Sequence, residues 1–169
     1  MTYSNPTIVC LLWVLGFSVL PATAGAFDDL LTKVPADANI VMLLNSDTIF
    51  NSPIAQKENW REKYEQGFAS GVGHISPNVQ RLVLATQMDL ERKQPNWNLA
   101  AAELKTPLSF PNFARERRGA LDQIDGSAAV ALRNDTYLLE FAPSVVAAMS
   151  PANRQSVARW KRTAAATAA

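Results

Sequence analysis

The 169-residue sequence predicts an α+β protein: a mainly antiparallel sheet with two longer helices and one short helix packed on one face. Three observations carry that prediction. Most apolar runs in the second half are separated by connections too short for parallel crossovers. Two of the turns hold Asp125-Gly126 and Asn134-Asp135, pairs that tolerate the positive φ of tight hairpins. Two Ser-Pro steps, Ser52-Pro53 and Ser150-Pro151, mark helix openings, with proline at the first helical position.

Taken in order, the elements follow from local pattern. A loop over "KVPADAN" leads into Ile40 to Leu44, a continuous apolar run between Asn39 and Asn45 whose length suits a strand buried on both faces. "NSPIAQKENWREKYEQGF" predicts one long helix, capped by Ser52 and ended near Gly67. Its Trp60, Tyr64 and Phe68 recur every four residues as an aromatic stripe for the core. "SGVGHISPN" is a flexible connection. "RLVLATQMDL" and "NWNLAAAEL" are strands joined by the short polar loop "ERKQPN", an antiparallel hairpin. "SFPNFARERRG" is the short helix, with Phe110 and Phe113 inward and Gly119 as its stop. Four closely spaced strands follow, "ALDQI", "SAAVALR", "TYLLEF" and "SVVAAM". The second Ser-Pro helix, "SPANRQSVARWKR", then turns Val157 and Trp160 to the core.

The N-terminus divides from this domain by composition. Residues 1–26 carry no charged side chain. An apolar run from Thr7 to Leu20 is broken by Pro21, and the small residues of "ATAGA" place an A-x-A step before Phe27. These are the parts of a secretory signal cleaved after Ala26. A basic n-region is missing, so an uncleaved anchor over residues 7–27 is the alternative, of about the 20 residues that a span requires. Cys10, the single cysteine, is preceded by Val9 and lies inside the run, which does not fit a lipid-attachment site. Cleavage would remove it and with it all thiol chemistry. The expected organisation is therefore a signal at 1–26, one α+β domain at 27–163, whole or part of a longer protein, and a disordered low-complexity tail at 164–169.

Composition narrows the function classes. An apolar fraction of 48% and a charged fraction of 18% fit a folded domain, and a net charge of +1 gives no general attraction to nucleic acid. No nucleic-acid partner is expected, because basic strands interleaved with aromatics are missing. A local excess of positive charge remains at Arg154, Arg159, Lys161 and Arg162, after the last acidic residue, Glu140. These four, with Arg115, Arg117 and Arg118, could meet an anionic surface or simply form solvated helix faces.

No motif names a reaction. His74 is the single histidine, in a loop, and "GFASG" puts Ser70 after a helix with the wrong spacing for a nucleophile elbow. Gly67, Gly71 and Gly73 lack the third glycine and the strand-to-helix context of a phosphate loop. One histidine and no mature cysteine cannot build a zinc set. Asp122 and Asp125 read as a hairpin turn and not a calcium loop, and Asp28, Asp29 and Asp37 as solvation of the mature start. Asp89, Glu91, Glu103 and Glu140 lie on or beside strands, so two of them meeting in a cleft is the remaining route to catalysis. Alternation places Glu140 opposite Tyr137, Leu139 and Phe141, facing water. No catalytic, cofactor-binding or metal residue is assigned, and no cofactor is expected.

The stretches "VPADANIVMLLNSDTIFNSPIAQKENWREKY" and "MSPANRQSVARWKR" resemble an exported bacterial protein family of unknown function. In that family a Pro-Ala-Asp loop leads into a first strand and a Ser-Pro helix follows. The resemblance spans about residues 33–162, implies export and a longer parent chain, and brings no activity to transfer. The sequence thus leads to an uncharacterised exported cell-envelope protein with a non-catalytic interaction or structural role and an envelope protein as partner. Two alternatives are a carboxylate-dependent hydrolase of the periplasm or envelope, acting through Glu140 or Glu103, and a membrane-anchored protein whose basic C-terminal helix touches lipid.

Overall fold

The computed structural model describes residues 24–73 and 75–167. The signal-or-anchor segment through residue 23, Cys10, His74 and the last two alanines lie outside the described residues. A short 3-10 turn at Ala24–Ala26 opens the described chain. Then follow α1 (Asp28–Leu31), β1 (Ile40–Asn45), α2 (Ser46–Phe50), α3 (Pro53–Lys57) and α4 (Trp60–Ala69). The hairpin of β2 (Val79–Asp89) and β3 (Gln94–Leu104) comes next, then α5 (Phe110–Arg117). The chain continues through β4 (Ala120–Ile124), β5 (Ser127–Leu132), β6 (Thr136–Ala142) and β7 (Val145–Ser150) into α6 (Arg154–Thr167). Among the described residues no helix is long and apolar enough to cross a membrane.

All seven strands form one sheet, in the order β1-β2-β3-β7-β6-β5-β4. Each neighbouring pair is antiparallel. The α+β class and the antiparallel sheet are as the sequence predicts. Only β3 and β7 are neighbours without being consecutive strands: after α5 the chain resumes at the far edge with β4, and the β4–β7 meander returns to pair β7 with β3 at the middle of the sheet. That seam is built of small side chains: Ala100, Ala101 and Ala102 pair with Ala148, Ala147 and Val146.

Alternation along the strands gives each face its own core. One cross-sheet row runs Val83, Ala101, Ala147, Leu139, Ala129, and all five have no measurable exposure. Leu30 of α1 and Val157 and Trp160 of α6 pack on that row. On the opposite face, Phe110 and Ala114 of α5 cover Val130, Leu138, Val146 and Ala102. The helices therefore divide between the two faces, where the sequence alone suggested one. Alternation is the physical reason: the strands turn apolar side chains to both faces, and each face is covered, by α1 and α6 on one side and α5 on the other.

The β4–β5 turn is a two-residue connection with Asp125 at φ 47° and Gly126 at φ 80°, the type I′ geometry that favours this pair. In the next turn only Asp135 takes a positive φ, 52°. Gly119 stands where the chain leaves α5, but not as its left-handed stop. Arg118 takes that conformation at φ 53°. A Cβ on Gly119 would lie 2.6 Å from Val130 Cγ1 and 2.9 Å from the Ala131 carbonyl oxygen, so close approach to β5 requires the glycine.

Several expectations are corrected. The stretch 51–68 is not one helix but two, α3 and α4, because Asn59 sits at φ 53° between them, and a further short helix, α2, precedes it. Ser52 does cap, accepting a hydrogen bond from the Ala55 amide, with Pro53 at the first turn of α3. The aromatic stripe of α4 is not core: no residue of α4 is buried, and Trp60 is exposed. The run Ile40–Leu43 is not buried on both faces; β1 lies at the edge of the sheet. The second Ser-Pro step does not open the final helix. Pro151 follows a cis peptide bond, and α6 begins at Arg154 behind a reciprocal cap. There the Ser156 amide donates to Asn153 Oδ1 at 2.9 Å and the Asn153 amide donates to Ser156 Oγ at 2.9 Å. The tail expected to be disordered from 164 continues α6 through Thr167, with Ala164 buried.

Candidate functional site

The carboxylates considered for catalysis do not converge. Glu103 sits directly opposite Arg81 on β2 and takes both a hydrogen bond and an ion pair from it. That hydrogen bond lifts the Arg81 pKa further above its usual value, against the opposing effect of partial burial. By strand alternation Glu103 projects from the face that carries Ala101, while Glu140 projects from the face that carries Leu138. The two cannot share a cleft. Glu140 is half-buried on that second face instead of fully turned to water. Asp89 caps the β2–β3 turn, its Oδ1 accepting from the Glu91 and Arg92 amides at 3.0 Å each.

The other motifs resolve into local architecture. Ser70 Oγ donates to the Gly67 carbonyl at 2.9 Å, and that carbonyl also accepts from Val72 and Gly73, closing the end of α4. Asp122 receives Arg154 Nε at 3.0 Å, and Asp125 receives Arg162 at 3.2 Å. Lys161 Nζ donates to the carbonyls of Ile124 and Asp125 at 2.8 and 2.6 Å. Three of the four basic residues of the C-terminal cluster thus tie α6 to the β4–β5 hairpin. Arg159 is the exception: among the described residues its side chain makes no ion pair and no hydrogen bond.

Arg159 borders a sizeable cleft. The cleft is about 520 Å³, between the segment 32–37, the ends of β3 and β7, and α6. Trp97 and Trp160 form its aromatic walls, with Val34, Pro35, Met149 and Ala164. Both indole N–H groups are already engaged: Trp160 Nε1 donates to the Lys33 carbonyl at 2.7 Å, and Trp97 Nε1 donates to Asp37 Oδ2 at 3.3 Å. The rings therefore present apolar surface to the cleft while their polar edges fasten the 32–37 segment to β3 and α6. Lys33 turns aside, with Nζ on Thr32 Oγ1 at 2.8 Å and 5.4 Å from the Phe141 ring centre.

A second surface runs along β1. Ile40, Val41, Met42 and Leu43 are 46%, 47%, 57% and 49% exposed. Ile40 and Met42 share a face with Leu84, and two shallow hollows of about 220 and 230 Å³ continue from there across Asn98 and Ala100 to Ala148. The outer edge of β1 has no strand neighbour among the described residues.

Neither surface is apparent in the sequence. The "KVPAD" loop reads only as a lead-in to β1, and Trp97 as one more strand residue. The available signal was indirect: Trp97 and Trp160, two of the four tryptophans, and Arg159 next to the second. Comparison of the chain with protein families, curated proteins and solved structures finds no match.

Proposed function

We propose that this chain is a non-catalytic exported protein of the cell envelope that works by holding an extended segment of another envelope polypeptide against the free edge of β1. The observation that carries the reading is the edge itself: four successive apolar side chains about half exposed on a strand whose outer flank is unpaired among the described residues. Edge strands are ordinarily blunted by charge, proline or a bulge, because their free N–H and C=O groups recruit other strands. Residues Ile40–Asn45 contain no charge and no proline, and their pairing with β2 is unbroken by a bulge. An added strand would gain main-chain hydrogen bonds, and its alternate side chains would lie beside Ile40 and Met42 at the rim of the nearer hollow.

Export and the envelope setting rest on the leader-like composition of residues 1–26. The test is photo-crosslinking in the producing cell, with the probe at Met42 and, as control, at Leu121 on the opposite edge strand, which is equally exposed at 57%. A discrete adduct from Met42 and none from Leu121 is expected, abolished by Leu43→Lys. Equal, diffuse labelling from both positions overturns the reading, and an adduct of twice the chain mass replaces the foreign partner with a second copy.

A further inference from the structure

We infer that the cleft between the 32–37 segment and α6 is a binding site for an amphipathic carboxylate, an apolar body carrying one anionic head. The inference is independent of the β1 edge, which lies outside the cleft lining. Its volume of about 520 Å³ falls in the range of small-molecule sites. Most of the wall is apolar or aromatic, and the polar edges of both tryptophans are satisfied within the protein. A polar ligand body would find few hydrogen-bond partners there, whereas burying methylenes against Trp97, Trp160 and Met149 is favourable.

The charge pattern selects the head group. Arg159 borders the cleft on α6 without a partner among the described residues, although the neighbouring Arg154 and Arg162 both have carboxylates. Asp37, the acid at the rim, accepts from Trp97 and keeps its charge, but Lys33 and Arg159 also line the cleft, so cations outnumber it two to one. A guanidinium at the mouth of an apolar cleft matches a carboxylate through two parallel N–H donors. A cationic head would meet Arg159 with like charge. The ligand chemistry is therefore that of a medium-chain fatty acid or an aryl carboxylate, held tail inward with its head at α6.

The experiment is titration of the full chain with decanoate below its micellar range, followed by calorimetry and by tryptophan fluorescence. Saturable one-to-one binding is expected, with each methylene from octanoate to decanoate strengthening it by up to about fourfold. Arg159→Gln should weaken binding about tenfold without changing the fold. Ala36→Trp, at an exposed rim position, should block the cleft and remove binding while thermal unfolding stays unchanged. Decylamine should not bind. Vesicles of anionic phospholipid form a further arm: decanoate binding that Arg159→Gln weakens, with no vesicle association, identifies a free carboxylate as the source. Equal binding of decanoate and decylamine, or decanoate binding that neither variant alters, overturns the proposal. So does association with the vesicles alone.

Discussion

The two ends of the sheet are built on different terms. At the β4–β7 end, Val130, Leu139 and Ala129 are inaccessible, α5 and α6 cover opposite faces, and Arg154, Lys161 and Arg162 fasten α6 to the β4–β5 hairpin. At the β1 end, the strand is half exposed on both faces and is followed by three short helices, of which α4 has no fully buried residue. Stability resides at the first end and available surface at the second. A protein that meets partners through an unfinished sheet edge requires this asymmetry, because the edge can stay open only if the fold does not depend on it.

The comparison breaks most readily with a pair of matched truncations. Leu139→Ala, in the row that runs across the sheet, should destabilise the protein by about 2–5 kcal/mol. Leu43→Ala, on β1, should cost less than about 1 kcal/mol, because half of its surface already faces water. Urea unfolding measures both, and near-equal losses would show that β1 belongs to the core after all. A smaller effect sharpens the same contrast from the backbone side. Gly119→Ala places a methyl 2.6 Å from Val130 Cγ1 and 2.9 Å from a carbonyl of β5, so strain of about 1–3 kcal/mol is expected at the rigid end. Gly67→Ala, in the helix α4 where an added Cβ meets nothing, should be neutral or slightly stabilising in the same assay.

The same asymmetry governs what could be read from the sequence. From β2 onward, strands and turns are legible because each obeys a local rule: alternation, an Asp-Gly pair, a short loop. Ile40–Leu44 obeys a local rule too, and misleads, because an apolar run announces burial only if neighbours arrive on both sides. Sequence order does not reveal that β1 ends up outermost. The aromatic stripe of Trp60, Tyr64 and Phe68 misleads for a similar reason: its spacing is helical, but Asn59 separates α4 from α3 and none of the three aromatics is fully buried. The cap of α6 was displaced by three residues because Asn153 and Ser156, which satisfy each other, outcompete the Ser-Pro step. The cleft was illegible on principle. Its walls come from positions around 35, 97 and 160, joined only by the return of β7 beside β3 and the folding of α6 across that seam.

A further small effect concerns how the open end is held. Tyr64 of α4 donates its hydroxyl to the Ile75 carbonyl at 2.5 Å, and its ring lies 5.2 Å from that of Phe50. Partial burial raises the Tyr64 pKa above its ordinary value of 10.0. The folded chain therefore holds this proton more tightly than the unfolded chain does. Below pH 10 both states are protonated and the contribution is complete; above it the unfolded state ionises first, and stability falls as pH rises towards the folded-state pKa. Tyr64→Phe should cost about 1 kcal/mol or less at neutral pH, the value of one hydrogen bond. The gap between the native chain and the variant should then narrow above pH 10, as ionisation removes from the native chain what the variant never had. A gap that widens there, or a neutral-pH loss as large as that of Leu139→Ala, would mean that α4 is fixed to the sheet as firmly as α6, and the contrast between the two ends would fail.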